Sequence, residues 1–247
     1  MVFLLYKAVM KNIDDKWRLI AIDGVAASGK STTAKKLAGE LGYHYLDTGA
    51  MYRAVALYLI ENDLEKSDKD AIISSLKNSI KIKVECDDSQ MKIYLGDEEV
   101  SGMIRTNEVT KLTSQISAIP EVRRMMVELQ RALVKSNDFI VEGRDIGTVV
   151  FPDADMKFFL TASVEERAKR RFAELKEDEN VKTLEEIEKE IEERDLRDST
   201  RTTSPLVSAE DAIRVDTTDL TVDEQVKHLT RLIHTEMRKE SQVYAGE

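Results

Sequence analysis

A short apolar run leads directly into a glycine-rich loop and then into a helical segment near the start of the chain. Residues 19–23 are apolar up to a final aspartate, which predicts a buried strand. Residues 24–31 read Gly-Val-Ala-Ala-Ser-Gly-Lys-Ser and match the spacing G-x-x-x-x-G-K-S/T at every fixed position. Residues 30–41 have helical patterning and are followed by Gly42, a residue type that commonly ends helices. A strand, a tight loop and a helix in this order form the first unit of a parallel sheet, so we expect an α/β fold.

The loop also has the composition of a phosphate cradle. Backbone N–H groups of such a loop, and of the helix start behind it, point into one concavity and bind phosphate oxygens. Lys30 would place a positive charge on the outer phosphates, and the Ser31 hydroxyl suits Mg²⁺. We therefore predict a nucleotide-binding P-loop with Ser31 as metal ligand. Its predicted nucleotide contacts are Gly24, Val25, Ala26, Ala27, Ser28, Gly29, Lys30, Ser31 and Thr32.

A P-loop identifies a bound phosphate but not a reaction, because GTPases, motor and transport ATPases and small-molecule kinases all use it. The chain has no N-K-x-D guanine motif and no L-S-G-G-Q motif, which disfavours a GTPase and a transport ATPase. A short chain with an inserted lobe favours a kinase. Kinases acting on UMP, AMP or a non-nucleotide such as shikimate remain alternatives. A nucleotide-controlled binding switch is the alternative from a different class.

Hydrophobic patterning predicts the remaining elements. Further core strands are expected at residues 43–47, 139–142, 156–160 and 212–215, with helices at 50–61, 120–135, 163–176, 183–197 and 221–239. Between them, a helix at 68–78 precedes residues 80–85 and 91–95, whose alternation predicts an antiparallel hairpin. We predict a three-layer P-loop core with a parallel sheet and an inserted lobe containing a small antiparallel sheet. The predicted parts are an extension at 1–16, a core at 17–63 and 121–240 with a helical lid at about 165–201, and the insert at 64–120.

Composition excludes several classes of protein. A hydrophobic share of 42% can build a packed core, and a net charge of −10 argues against nucleic-acid polymers as partners. Much of the acidity lies at residues 174–193, which hold ten acidic and three basic residues, so a basic cleft elsewhere stays compatible. A single cysteine, Cys86, excludes an internal disulfide and favours a reduced, cytoplasmic setting. Apolar runs are too short for a membrane span, and the apolar start lacks signal-peptide features.

Arginines occur where an anionic second ligand would need them. Arg144 and Asp145 follow a predicted core strand at its carboxyl end, where ligands bind in open α/β sheets. The planar guanidinium fork suits phosphate. Two helical clusters follow, Arg167, Arg170 and Arg171, and then Arg194, Arg197 and Arg201. For the first cluster, a solvated face with helix salt bridges is an equally good interpretation.

Five segments together make the chain resemble bacterial-type cytidylate kinases, a family of nucleoside monophosphate kinases. The segments are residues 20–32, 46–53, 100–105, 142–153 and 193–201. The stretch Gly-Arg-Asp-Ile-Gly-Thr-Val-Val-Phe-Pro at 143–152 and Asp-Thr-Gly-Ala-Met-Tyr-Arg at 47–53 are far more specific than the P-loop. Two residues depart from the family pattern, because Val25 replaces a common proline and Thr48 a common serine.

The resemblance implies transfer of a phosphoryl group from ATP, with Mg²⁺, to CMP or dCMP in pyrimidine nucleotide metabolism. It assigns the transfer to Lys30, Arg144, Arg167, Arg171 and Arg194, and the acceptor nucleotide to Thr48, Arg53, Ser114, Arg123, Arg144, Asp145, Arg194, Asp198 and Arg201. Within this set, Arg123 and Ser114 are the predicted readers of the cytosine edge, and Asp198 is the predicted acceptor for ribose hydroxyls. We further expect a cytoplasmic monomer without a membrane partner.

Overall fold

The chain folds into an α/β structure, which a computed structural model describes for residues 18–64, 67–87, 90–175 and 182–244. The predicted extension, residues 1–16, lies outside these ranges. In chain order the elements are β1 (Leu19–Gly24), α1 (Lys30–Leu41), β2 (His44–Asp47), α2 (Thr48–Glu61), α3 (Lys69–Asn78), β3 (Ile82–Asp87), β4 (Gln90–Leu95), β5 (Glu98–Glu99), α4 (Asn107–Ile116), α5 (Pro120–Leu133), β6 (Phe139–Gly143), β7 (Met156–Thr161), α6 (Val164–Leu175), α7 (Leu184–Thr200), β8 (Ile213–Asp216) and α8 (Val222–Tyr244). A 3₁₀ turn (Met103–Arg105) precedes α4, and a π-type turn (Ile146–Val150) follows β6.

Five strands of the described chain form one parallel sheet in the order β2-β6-β1-β7-β8. The central strand β1 pairs with β6 on one side, where Ile20 lies opposite Ile140, and with β7 on the other. The parallel core predicted from the sequence is therefore confirmed. Because the carboxyl ends of parallel strands meet at one edge, the sheet brings Gly24, Asp47 and Gly143 to the same side of the molecule.

Helices cover both faces of this sheet. Helices α1 and α8 pack on one face, where Ile22, Leu37 and Val226 are fully buried. Helices α2 and α5 lie on the other face, where Met51 and Val141 are fully buried. Strand β1 is apolar on both faces, as expected for a strand between two helical layers. No helix in the described ranges combines the length and the apolar character needed to cross a bilayer.

The segment between α2 and α5 forms a small antiparallel sheet with helices on its inner side. Strands β3 and β4 pair as a hairpin with Val84 opposite Ile93, as the alternating pattern predicts, and β5 adds a short third strand. The sheet is one-sided, because Ile93 is buried while Lys92 is exposed. Its buried face joins α2, α3 and α4 in an apolar cluster that continues to the parallel sheet. The hairpin thus packs on the same core that carries the P-loop.

Helix α2 begins two residues before its predicted start because of an aspartate cap. The Asp47 carboxylate accepts the backbone N–H of Ala50 at 2.8 Å, which satisfies an otherwise unpaired donor of the first turn. Its second oxygen accepts from Arg53 Nη2 at 2.8 Å. One carboxylate therefore fixes both the start of the helix and the direction of an arginine one turn later.

Candidate active site

The loop between β1 and α1 has the backbone that its motif predicts. Gly29 has a φ of 85°, in the left-handed region, and Ala27 also has a positive φ of 56°. A Cβ added to Gly24 would lie 2.2 Å from the Leu160 carbonyl oxygen of β7, so only glycine fits there. No side chain caps the N-terminus of α1, which leaves its first N–H groups available for an anion.

Two arginines of α6 hydrogen-bond to backbone carbonyls of this loop. Arg167, which is 4% exposed, donates from Nη1 to the Ala26 carbonyl at 3.2 Å and to Asp195 Oδ2 at 2.5 Å. Arg170 donates from Nη1 to the Ser28 carbonyl at 3.4 Å. Arg171 instead pairs with Glu174 at 2.9 Å near the surface. The first predicted cluster thus places two of its three arginines against loop carbonyls, and none of the three lines the cleft described below.

A hydrogen-bonded chain of side chains lies beside the cradle. The Glu142 carboxylate, at the end of β6, accepts from Ser31 Oγ at 2.8 Å and from the Tyr45 hydroxyl at 2.7 Å. Burial raises the pKa of Glu142, and the nearby Asp47 carboxylate adds to this shift. Burial also lowers the pKa of Lys30, and Arg144 lowers it further. Glu142 is not among the predicted site residues, although a carboxylate ending an apolar strand was a usable signal.

A cleft of about 110 Å³ opens next to Lys30 and Ser31 at the carboxyl edge of the sheet. Its walls come from α2, α4, α5, the end of β6 and α7. It brings together all the predicted acceptor residues, which are Thr48, Arg53, Ser114, Arg123, Arg144, Asp145, Arg194, Asp198 and Arg201. Arg197, by contrast, is exposed and does not line the cleft. Acceptor residues from Thr48 to Arg201, 153 positions apart in sequence, therefore share one basic site.

Ion pairs hold these arginines in place but leave an excess of positive charge. Asp198 Oδ2 accepts from Arg144 Nε at 3.1 Å and lies 4.0 Å from Arg194 Nε. Burial raises the pKa of Asp198, but the surrounding guanidinium groups outweigh it and the pKa lies below its ordinary value. Burial, reinforced by Arg144, lowers the pKa of Arg194 to about 10. Arg194 is therefore a buried cation beside other cations, and a bound anion would stabilise its charge.

Several buried polar atoms at the cleft lack a hydrogen-bond partner in the described chain. They are the Tyr52 hydroxyl, Arg53 Nε, Arg123 Nε and Arg201 Nη2. An unpaired buried donor costs about 1–3 kcal/mol, so such groups usually meet a ligand or water. The Arg123 guanidinium also lies 5.6 Å from the centre of the Tyr52 ring. Tyr52 also lines the cleft and is not among the predicted site residues, because an aromatic residue at helical spacing usually belongs to the core.

Asp23, the last side chain of β1 before the loop, supports the turn that follows Arg144. Its carboxylate accepts the backbone N–H groups of Ile146 and Gly147, each at 2.8 Å. Burial raises the pKa of Asp23 to about 6, against the lowering effect of those two hydrogen bonds. A buried carboxylate on the P-loop strand thus holds the segment next to Arg144, which lines the cleft.

This shift predicts a pH-dependent stability term. The pKa of Asp23 is raised in the folded chain, so protonation of this carboxyl stabilises the fold. This contribution is fully present below about pH 3.8 and is lost as the pH rises through about 6. The free energy of unfolding of the wild type, minus that of Asp23→Asn, should therefore rise by about 2 kcal/mol from pH 7.5 to 4.5. Urea denaturation at several pH values measures it. A constant difference would contradict the assigned shift.

The chain is similar to cytidylate kinases over most of its length. The family model described as cytidylate kinase matches residues 20–235. A cytidylate kinase of Lactobacillus johnsonii is 48% identical over 219 residues, which are 89% of this chain and 95% of that protein. One from Streptococcus mutans is 50% identical over 204 residues, which are 82% of this chain and 90% of that protein. Among solved structures, a shikimate kinase from Acinetobacter baumannii in complex with shikimate has a TM-score of 0.46 and 13% identity, covering 90% of this chain and 96% of that one.

Proposed function

The chain belongs to the cytidylate kinase family, and from this premise we propose that it transfers the terminal phosphoryl group of ATP to CMP, and also to dCMP, in pyrimidine nucleotide metabolism. The observation that carries the proposal is the single cleft beside Lys30 that gathers all the predicted acceptor residues. Its unpaired donors, on Arg53, Arg123 and Arg201, match the oxygens and base edge of a nucleoside monophosphate. We further propose a cytoplasmic monomer.

The donor half of the reaction rests on the P-loop. Residues 24–32 would bind the phosphates of ATP through backbone N–H groups and the Ser31 and Thr32 side chains. Arg167 and Arg170 hold the loop by donating to the carbonyls of Ala26 and Ser28. The uncapped start of α1 leaves its first N–H groups available for the nucleotide. Lys30 would place its charge between the outer phosphates of ATP, where the phosphoryl group is transferred.

Ser31 and Glu142 fit a role in holding Mg²⁺ together with ATP phosphates. Among the described residues, no group of three or more His, Cys, Asp or Glu side chains could hold a metal ion. Mg²⁺ in kinases is usually held by one or two protein oxygens plus substrate phosphates, which suits this pair. Because Ser31 donates its proton to Glu142, its oxygen lone pairs stay available. The ion would neutralise charge on the transferring phosphoryl group.

The acceptor half requires little acid–base chemistry. The phosphate of CMP is already ionised near pH 7, so positioning and charge stabilisation are sufficient for catalysis. Arg53, Arg144 and Arg194 would hold the acceptor phosphate, with Asp198 accepting from the ribose hydroxyls. Arg123, held by Asp145 and by the Ser117 carbonyl, would read the cytosine edge together with Ser114. Thr48 and Arg201 would complete this site.

We extend the proposal to the organisation of the chain. Residues 17–63 and 121–240 would form the kinase core, and residues 64–120 the lobe that closes over the acceptor. A lid at about 165–201 would carry Arg194 and Asp198 toward the nucleotides. On closure, Arg171 would leave its surface pair with Glu174 and reach the migrating phosphoryl group, and Arg167 would support it from behind the P-loop. Closure of this kind excludes water from the transfer.

A panel of acceptors tests the proposal. ADP release, measured by a coupled assay with ATP and Mg²⁺, should be highest with CMP and dCMP. UMP, AMP and shikimate should be poorer, because Arg123 and Ser114 offer hydrogen bonds matched to cytosine. Turnover highest with shikimate or AMP would refute the proposed acceptor. Tight nucleotide retention without acceptor-stimulated turnover would instead identify a binding switch.

A further inference from the structure

Tyr45 is a buried side chain of β2 whose hydroxyl has a specific partner. It is 6% exposed, and its hydroxyl donates to Glu142 Oε1 at 2.7 Å. The other oxygen of the same carboxylate accepts from Ser31 Oγ at 2.8 Å. Three side chains from β2, β6 and α1 therefore form one linear chain of hydrogen bonds that ends at the P-loop serine.

Tyr45 also separates two cavities. A groove of about 620 Å³ lies between α1 and the small antiparallel sheet, and Tyr45 lines this groove. Glu142 lines the catalytic cleft instead, while Ser31 and Asp47 line both cavities. The phenol ring is thus part of the wall between the open groove and the carboxylate, and its hydroxyl reaches across that wall.

A carboxylate at the end of a glutamate side chain rotates easily about its last bond. With Ser31 as its sole anchor, Glu142 could turn either oxygen toward the serine. The second hydrogen bond, from the opposite side, fixes the plane of the carboxylate and the oxygen that faces Ser31. Groups that hydrogen-bond to a metal-site carboxylate commonly matter for metal affinity by about 10–100-fold.

We propose that Tyr45 is a positioning residue for the metal–nucleotide half of the site, and that its hydroxyl orients Glu142 so that Ser31 and Glu142 together favour Mg²⁺-bound ATP over free ATP. This inference rests on the proposed function, which places Mg²⁺ at Ser31. It assigns Tyr45 no contact with either substrate. The role belongs to the hydroxyl, whereas the ring packs in the core as any aromatic ring would.

Tyr45→Phe separates the hydroxyl from the ring, and the chain offers a matched control. Tyr43 lies two positions earlier, is similarly buried at 8% exposure and lines neither cavity. Tyr43→Phe makes the same chemical change away from Glu142. Calorimetric titration with a non-hydrolysable ATP analogue, with and without Mg²⁺, measures the strengthening by the metal without any turnover. The signal of free Mn²⁺ in electron paramagnetic resonance measures metal binding to the same complexes.

In the wild type and in Tyr43→Phe, the metal should strengthen binding of the analogue equally. In Tyr45→Phe, metal-free binding should stay within about twofold, while the Mg²⁺ and Mn²⁺ concentrations at half-saturation rise about tenfold. The KM for CMP should not change. In a Glu142→Gln background, Tyr45→Phe should have almost no further effect, because the two residues act through one another.

Two outcomes overturn the inference, and they are distinguishable. If the wild type responds to the metal and Tyr45→Phe responds identically, Tyr45 only packs and the proposed function stands. If the metal does not strengthen binding even in the wild type, the proposed metal role of Ser31 fails and the role of Tyr45 fails with it.

Discussion

Replacing Lys30 with methionine should lower the rate of phosphoryl transfer by roughly 100–1,000-fold, the range found when one preorganised charge-stabilising group is removed. The Lys30 side chain is 7% exposed at the mouth of the cleft, and its ammonium donates to the Val25 carbonyl at 3.2 Å. Burial and the nearby Arg144 disfavour the charged form of Lys30 and so lower its pKa. A bound phosphate would offset this effect. Methionine keeps the length and the apolar stem but provides no charge for the transferring group.

The same substitution should leave the fold intact. Removing a desolvated cation relieves a burial cost, so the melting temperature should stay within a few degrees or rise. Lys35→Met is the matched control, because Lys35 lies five residues further along α1 and is exposed. That control should keep the wild-type kcat/KM in the coupled assay. Near-normal turnover by a folded Lys30→Met protein would contradict the assigned phosphate cradle.

The parts of the fold that depend on local pattern could be predicted from the sequence. Strand β1 and helix α1 agree with their predicted bounds to within one residue, because an apolar run, a glycine loop and a glycine stop all lie in one contiguous stretch. The hairpin β3–β4 could also be predicted, since period-two alternation signals a half-buried sheet. The family match at residues 20–235 covers the span over which the motifs resemble that family.

Other parts of the fold depend on contacts that local pattern does not encode. The order of the sheet puts β6 between β2 and β1, a choice made by long-range pairing. Helix α4 has Val109, Leu112 and Ile116 buried at helical spacing, a signal that was present but hidden in a short, polar segment. The π-type turn after β6 is held by Asp23, which is far away in sequence but lies on the neighbouring strand β1 and accepts from two backbone N–H groups of the turn.

The residues of the candidate site likewise include some that local sequence pattern predicts and others that only long-range contacts place. The P-loop contacts could be predicted because they are consecutive residues, and the acceptor residues because their motifs are specific. The contacts of the first arginine cluster are harder to predict, because a charged helix face has the same sequence pattern whether it is exposed to solvent or hydrogen-bonds to a loop carbonyl. In the structure Arg167 and Arg170 meet loop carbonyls, while Arg171 meets Glu174.

The residues that sequence reasoning missed share one property. Tyr45, Tyr52 and Glu142 each have a polar group buried by elements far apart in the chain. In sequence, the two tyrosines look like core aromatics and the glutamate like the end of a strand. Their roles become visible only when β2, α2 and β6 converge at the carboxyl edge of the sheet.

Replacing Asp198 with alanine should weaken CMP binding by about 10–100-fold while ATP binding stays within about twofold. A hydrogen bond to a charged group contributes about 1.5–3 kcal/mol, which sets this range. Asp198 is 9% exposed on α7 and faces the cleft, where it also accepts from Arg144. It lines the acceptor cleft, and its ion pairs in the described part of the chain are with Arg144 and Arg194, so the P-loop N–H groups proposed to hold the ATP phosphates should be unaffected.

Two roles of Asp198 are separable in the same titration. If the carboxylate binds the ribose, CMP and its 2′,3′-dideoxy analogue should differ in affinity for the wild type but not for Asp198→Ala. If it only positions Arg144 and Arg194, both nucleotides should lose affinity by the same factor. Glu193→Ala, an exposed change on the same helix, is the control and should bind as the wild type does. An equal loss of ATP and CMP affinity in Asp198→Ala would contradict an acceptor-side role, since it would mean that α7 supports the whole cleft rather than one substrate.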